Sequence, residues 1–162
     1  MAKGFDKIKI FNIKDIRNIA GKYLRIIDNR IFEKYQDKDG RTFKPYTENY
    51  RKRKQSDYRK KDGSRYKGYE EGSLSTQIMP ANFQLTYKTR FNLKGRGETT
   101  SGFKVGWDGE PGVIVLGNAE RGRDIWQSIP QKEANWIADE FRKVLDKEFR
   151  QKIKDTTIRV GR

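Results

Sequence analysis

The chain has 162 residues, 33% of them hydrophobic and 36% charged, with a net charge of +15. A single domain of this length buries roughly 70% of the surface its unfolded chain exposes, yet the apolar share lies below the ~45–50% of ordinary globular proteins. Cys and His are both absent, which excludes thiol nucleophiles, disulfides, Cys/His zinc sites and imidazole bases and leaves only carboxylate-built metal sites.

A small core is therefore expected, with extended parts that fold fully only against neighbours. The charge is spread along the chain: +5 over residues 1–36, +5 over 37–72, +2 over 73–129 and +3 over 130–162. Such a field attracts polyanions or acidic protein surfaces without choosing between them. The longest aliphatic run, Val113–Leu116, is far too short for a membrane span. A soluble protein of a reducing compartment is the simplest reading.

In chain order, residues 12–36 place Ile16, Ala20, Tyr23, Leu24, Ile27, Ile31 and Tyr35 at the spacing of three and four that marks an amphipathic helix. Asn12 and Asp15 resemble a capping box at its start, and Asp39-Gly40 is a turn dipeptide beyond its end. Residues 37–80 follow neither period. Twelve Lys or Arg crowd into Asp37–Lys67, so 37–80 reads as a basic extended arm or insertion, with a short helix near Glu48–Lys54. Tyr50, Tyr58 and Tyr66 lie eight apart, a spacing that composition alone can produce.

From Asn82 the pattern alternates. Phe83, Leu85 and Tyr87 predict one face of a strand running through "NFQLTYKTRFNL". "GRGETTSG" at 95–102 predicts a hairpin loop, and "FKVGW" predicts a second strand with Phe103, Val105 and Trp107 facing one way. "DGEPG" at 108–112 reads as a tight turn and "VIVLG" as a third strand buried on both sides. Ser128 with Gln131 resembles a capping box, after which Ala134, Ile137, Ala138, Phe141, Val144, Leu145, Phe149 and Ile153 predict a long helix. The expected fold is α+β in a single domain over 1–162: an N-terminal helix, the basic arm, a small antiparallel sheet of three to four strands, a C-terminal helix packed on it, and a tail at 156–162.

Asp37, Asp39 and Glu48 occupy positions 1, 3 and 12 of a calcium-loop frame, but its glycine is misplaced and Arg41 sits at a ligand position. A turn explains them better. Asp108, Glu110 and Glu120 lie near expected strand ends, as in metal-dependent nucleases, but nothing in the spacing brings them together. "GRGETTSG" lacks the Lys-Ser/Thr of a phosphate-binding loop. The basic runs Arg51, Lys52, Arg53, Lys54 and Arg59, Lys60, Lys61, with Tyr50 and Tyr58 between them, suit phosphates with stacking or an acidic protein face. Arg121 and Arg123 are expected to project from a loop, while Trp126 seals the start of the last helix.

"RIFEKYQDKDGRTFKPYTENYRKRK" resembles the early signature of the tail-completion, or virion-morphogenesis, proteins of tailed bacteriophages. Arg30 and Phe32 match the end of that family's first helix, and Asp37, Asp39, Gly40 and Pro45 match its turn, with Phe43 where Trp is common. Leu85-Thr86 sits at a Leu-Thr-Gly position whose Gly is Tyr87 here. "GFKVGW" is similar to the family's central strand, and Arg123-Asp124-Ile125-Trp126 falls where an Arg-Pro-Phe-like segment introduces the last helix. The likeness spans residues 25–155. It implies a non-enzymatic virion protein of the neck or tail end, assembled in the host cytoplasm. Such a protein forms a homo-oligomeric ring, six-fold by expectation, that joins tail to head around the DNA channel. Its implied partners are other neck and tail proteins, with non-specific DNA contact in the channel and neither cofactor nor membrane. The alternative is a cytosolic nucleic-acid-binding protein using the 50–67 patch.

Overall fold

The computed structural model describes residues 11–65, 79, 81, 88–125 and 128–155. Helices stand at both ends of a small two-stranded antiparallel sheet, so the chain mixes α and β. Helix α1 (Ile13–Asp28) starts where Asn12 accepts a hydrogen bond from the Lys14 amide, 3.0 Å away. Ile16, Ile19, Ala20, Tyr23 and Ile27 form its buried stripe. The helix runs on as a π turn over Asn29–Glu33. This wider turn lets Ile31 and Phe32, adjacent in sequence, both enter the core.

After the π turn the chain makes a hairpin around Asp37–Gly40, with Gln36 bridged to Thr42. Asp37 Oδ1 accepts from the amides of Asp39 and Arg41, each at 2.9 Å, and Gly40 takes the left-handed conformation (φ 76°). This Asx-turn geometry accounts for the aspartates without a metal. The hairpin delivers Phe43 into the core, 3% exposed. Helix α2 (Glu48–Gln55) follows, close to the short helix expected there.

A second hairpin of the same design closes this region. Tyr35 and Tyr58 both have left-handed backbones (φ 55° and 58°). Asp37 and Lys60 each donate their amide to the carbonyl four residues on, Gly40 and Gly63 each donate back three residues, and Arg59 bridges Arg65 as Gln36 bridges Thr42. Tyr-x-x-Lys-Asp-Gly occurs at both places, at 35–40 and again at 58–63. The eight-residue tyrosine spacing conceals this repeat, because Tyr50 belongs to α2; Tyr66 lies outside the described residues.

The sheet differs from expectation. Lys88–Phe91 is a short helix, α3, where the alternation predicts the first strand, and residues 82–87 of that strand lie outside the described residues. Strands β1 (Lys94–Gly95) and β2 (Val105–Gly106) pair in register Lys94 to Gly106, with 95–102 looping between them as the glycines suggest. Two strands, not three or four, are present among the described residues. Val105 and Trp107 are buried as expected, and Phe103 packs against the same core.

The third predicted strand is a helix, α4 (Gly109–Glu120), so both "VIVLG" as a strand and "DGEPG" as a tight turn are corrected. A run of four apolar residues is too short for its period to decide between strand and helix. "DGEPG" is the better signal in retrospect: Asp108 precedes the helix, Glu110 complements the dipole, and Pro111 sits in the first turn, where its missing N–H costs nothing. Pro111 and Val115, one turn apart, face inward, while Val113 and Leu116 are exposed.

Helix α5 (Gln131–Asp155) begins two residues later than a Ser128 cap would place it, with Ala134 N bonded to Pro130 O; Ser128 itself is exposed. It packs on α1 through Trp136 against Tyr23 (ring centroids 6.4 Å apart), and its Phe141 meets Phe11, just before the α1 cap, at 5.1 Å. Its most deeply buried side chains are acids. Glu133 accepts from Tyr23 Oη at 2.9 Å and from Arg30 Nε, and Glu140 accepts from Lys22 at 2.7 Å. Burial, followed by the neighbouring Glu133 carboxylate, pushes the Tyr23 hydroxyl well above its usual range. Trp126, expected to seal the helix start, lies outside the described residues.

Candidate functional site

The basic arm is anchored to the body at the end of α4. Gly122 (φ 75°) donates to Ala119 O and Arg123 N donates to Asn118 O, both at 2.9 Å, which together make a Schellman stop. That stop turns Arg123 inward, against the expectation that it projects from a loop. Its Nε donates to Lys44 O at 3.0 Å, its Nη2 to Pro45 O at 2.9 Å and its Nη1 to Asn118 Oδ1 at 3.4 Å. The guanidinium lies 5.0 Å from the centroid of Tyr46, and burial lowers its pKa. Arg123 therefore clamps the first residues of the arm. The left-handed backbone at Gly122 asks for glycine, and a carbon added there would also displace the end of the Lys44 side chain, whose Nζ would lie 2.9 Å away.

A tyrosine cluster continues the anchorage. Tyr46 and Tyr50 have ring centroids 4.7 Å apart and Tyr50 and Tyr58 6.2 Å, and Lys54 lies among them with its Nζ 4.9 Å from the centroid of Tyr46. Lys54 is 1% exposed, and burial pushes its ammonium down to about 8. Contrary to the expectation that it contacts a partner or DNA, it is interior, held against aromatic faces.

The other predicted contact residues divide by position. Lys52, Arg53, Arg59, Lys60, Lys61 and Arg121 are on the surface and Arg51 is half-buried. Arg59, Lys60 and Lys61 lie on the second hairpin, Lys52 pairs with Glu48 on α2, and Arg121 stands at the far end of α4. They stand on three elements, α2, the second hairpin and the end of α4. Of the residues named for structure, Asp37, Gly40 and Phe43 build the first hairpin, Asp39 pairs loosely with Lys38 and Arg41, and the Pro45 carbonyl accepts from Arg123, whereas Ser128 is exposed and Trp126 lies outside the described residues.

The carboxylates considered for a nuclease are engaged separately. Asp108 pairs with Arg96 and Lys94, and Glu110 with Lys88. Glu110 and Glu120 stand at opposite ends of α4, about 15 Å apart at 1.5 Å rise per residue, too far to share an ion. Among the described residues no group of acids is placed to hold a metal, and no helix is long and apolar enough to cross a membrane.

No sequence pattern announces the cleft of about 960 Å³ between the end of α1, the first hairpin and the start of α5. Five of its six cations lie between Arg25 and Arg41, but its opposite wall, from Ser128 to Trp136, is about 100 residues away in sequence. Compared with known proteins, the chain matches no family model, no curated protein and no solved structure.

Proposed function

We propose that this chain is a non-enzymatic joining component of a tailed-phage neck or tail end, assembling as a ring where tail meets head. One observation carries the reading: the positions on which the resemblance rests are the ones that hinge a cationic arm onto the body. Asp37 and Gly40 shape the turn, Phe43 plugs the core, and Pro45 offers its carbonyl to Arg123. The turn that resembles the family's signature thus has architectural rather than chemical work, as a joining protein requires. Other neck and tail proteins are its proposed partners, and six-fold closure is part of the same proposal.

Mass spectrometry of purified particles of the phage that encodes the chain tests it, using the tryptic peptide Glu133–Arg142. A few copies per particle alongside the neck and tail proteins is the expected result. Absence from clean particles, with abundance in the infected lysate, rejects it.

A second reading, nucleic-acid binding without assembly, is favoured by one feature: the second hairpin loop exposes Arg59, Lys60 and Lys61 against Asp62, while Arg65 beside them pairs with Asp57. It predicts that the isolated protein holds duplex DNA with a steep salt dependence. Replacing Arg59, Lys60 and Lys61 with Ser should then flatten the slope by nearly one unit for each phosphate no longer neutralised.

A further inference from the structure

The cleft between α1, the first hairpin and α5 is lined by six cations, Arg25, Arg30, Lys34, Lys38, Arg41 and Lys132, against two acids, Asp39 and Glu133. Glu133 is spent on Arg30 and Tyr23, and Asp39 reaches Lys38 and Arg41 only at 3.7 and 3.8 Å. Arg25, Lys34 and Lys132 are exposed and make no ion pair with any described residue. Beneath them Arg30 has a buried Nη1 with no hydrogen-bond partner among the described residues. The rest of the lining combines apolar Ile26, Pro130, Trp136 and Ile129, the last 56% exposed, with polar Asn29, Gln36, Ser128 and Gln131.

We propose that this cleft receives an acidic, apolar-anchored segment of a partner protein. Its carboxylates would meet Lys34, Lys132 and Arg25, while one or two aliphatic or aromatic side chains cover Trp136 and Ile129. Charge complementarity selects an acidic occupant. The concave, partly apolar lining selects a peptide over a duplex, because a convex duplex reaches only the rim and leaves Trp136 and Ile129 uncovered. A cleft of this volume is in the range of pockets that enclose a few side chains. The proposal names the chemistry of a neighbour in the joining role and rests on that reading only for where the neighbour is found.

The test selects ligands from a library of random peptides of about 12 residues on the full chain, then measures their affinities by fluorescence anisotropy. Enriched peptides should combine acidic with aromatic or aliphatic residues. Their binding should weaken at least about tenfold in the double variant Lys34→Glu, Lys132→Glu, the effect of reversing two surface charges. It should be unchanged in Lys61→Glu, which lies outside the cleft. Failure to enrich acidic peptides overturns the proposal, as does equal affinity for the double variant. Tighter binding of a duplex or single-stranded oligonucleotide that depends on Lys34 and Lys132 reassigns the cleft to nucleic acid and overturns it too. The two readings fail separately: peptide binding with no chain in particles removes the joining role alone, and a chain present in particles that binds no acidic peptide removes the cleft alone.

Discussion

Replacing Lys54 with Met should change the pH dependence of folding, and the direction follows from burial. In the unfolded chain this amine titrates near its ordinary value of 10.5, while in the folded protein it is pushed down to about 8. Between those values the unfolded chain binds more protons than the folded one, so stability rises with pH across that window. Below pH 8 the penalty of the buried charge is fully present. The drop from 10.5 to about 8 corresponds to roughly 3 kcal/mol at about 1.4 kcal/mol per unit. Met fills a similar volume without the charge but gives up the contacts of the ammonium, among them the one with the Tyr46 ring, worth about 2 kcal/mol when desolvated. At pH 7 the variant should therefore be more stable by about 1 kcal/mol, and the gain should shrink steadily towards pH 10. Urea unfolding followed by tryptophan fluorescence at several pH values from 7 to 10 measures both proteins. Above pH 10 the raised Tyr23 contributes with the opposite sign, since the folded protein then holds the proton longer, so the comparison stays below that point. Parallel curves for the two proteins, or a variant less stable by about 2 kcal/mol at pH 7, would refute the account of Lys54 as a burdened interior charge.

The clamp at the end of α4 makes a paired prediction: Arg123→Ala should cost about 2–4 kcal/mol by removing its bonds to Lys44 O and Pro45 O. Arg121→Ala, on the surface beside it, should stay within about 0.5 kcal/mol, and equal shifts in urea midpoint would remove the distinction. Gly122→Ala should destabilise by about 1–2 kcal/mol from its left-handed backbone alone. Adding Lys44→Ala should recover only the steric part, measurable as a non-zero coupling energy in a double-mutant cycle. Glu133→Ala should cost about 3–5 kcal/mol by leaving Arg30 buried without its carboxylate, and Glu133→Gln clearly less; comparable losses would mean that charge is irrelevant there.

The helices that bound the chain were legible because their signals are long or local. The stripe from Ile16 to Ile31 spans several turns, and Asn12 caps in the expected way. Helix α5 was legible for its length, but its apolar stripe misleads about burial: Phe149 is 61% exposed, whereas Glu133 and Glu140 are interior. Those acids are buried because α1 presents Tyr23 and Lys22, and the π turn that continues it presents Arg30, to meet them, a match between elements more than 100 residues apart. No single-segment pattern carries such information. The same limit hid the inward course of Lys54 and Arg123. Each looks like one more member of a cationic run, and its burial depends on Tyr46, which only the folded chain brings over both.

The two hairpins show how backbone and charge are specified separately in this chain. A left-handed tyrosine, a left-handed glycine and one pair of amide–carbonyl bonds define the loop at 35–43 and again from 58. In the first copy the carboxylate of Asp37 gathers the loop amides. In the second, Lys60 stands at that position and Asp62, two places on, takes over by accepting from both the amide and the hydroxyl of Ser64, which hold its carboxyl below the usual range. Because the geometry survives this exchange, the loop is at liberty to set its own charge. It is balanced in the first copy, whose Lys38 amide docks on Asp124 O at 2.9 Å, and strongly cationic in the second, whose loop faces solvent. The basic run that first draws the eye in the sequence is thus a scaffold used twice, with Lys54 and Arg123 fastening it from inside and Arg59, Lys60 and Lys61 exposed on its second loop.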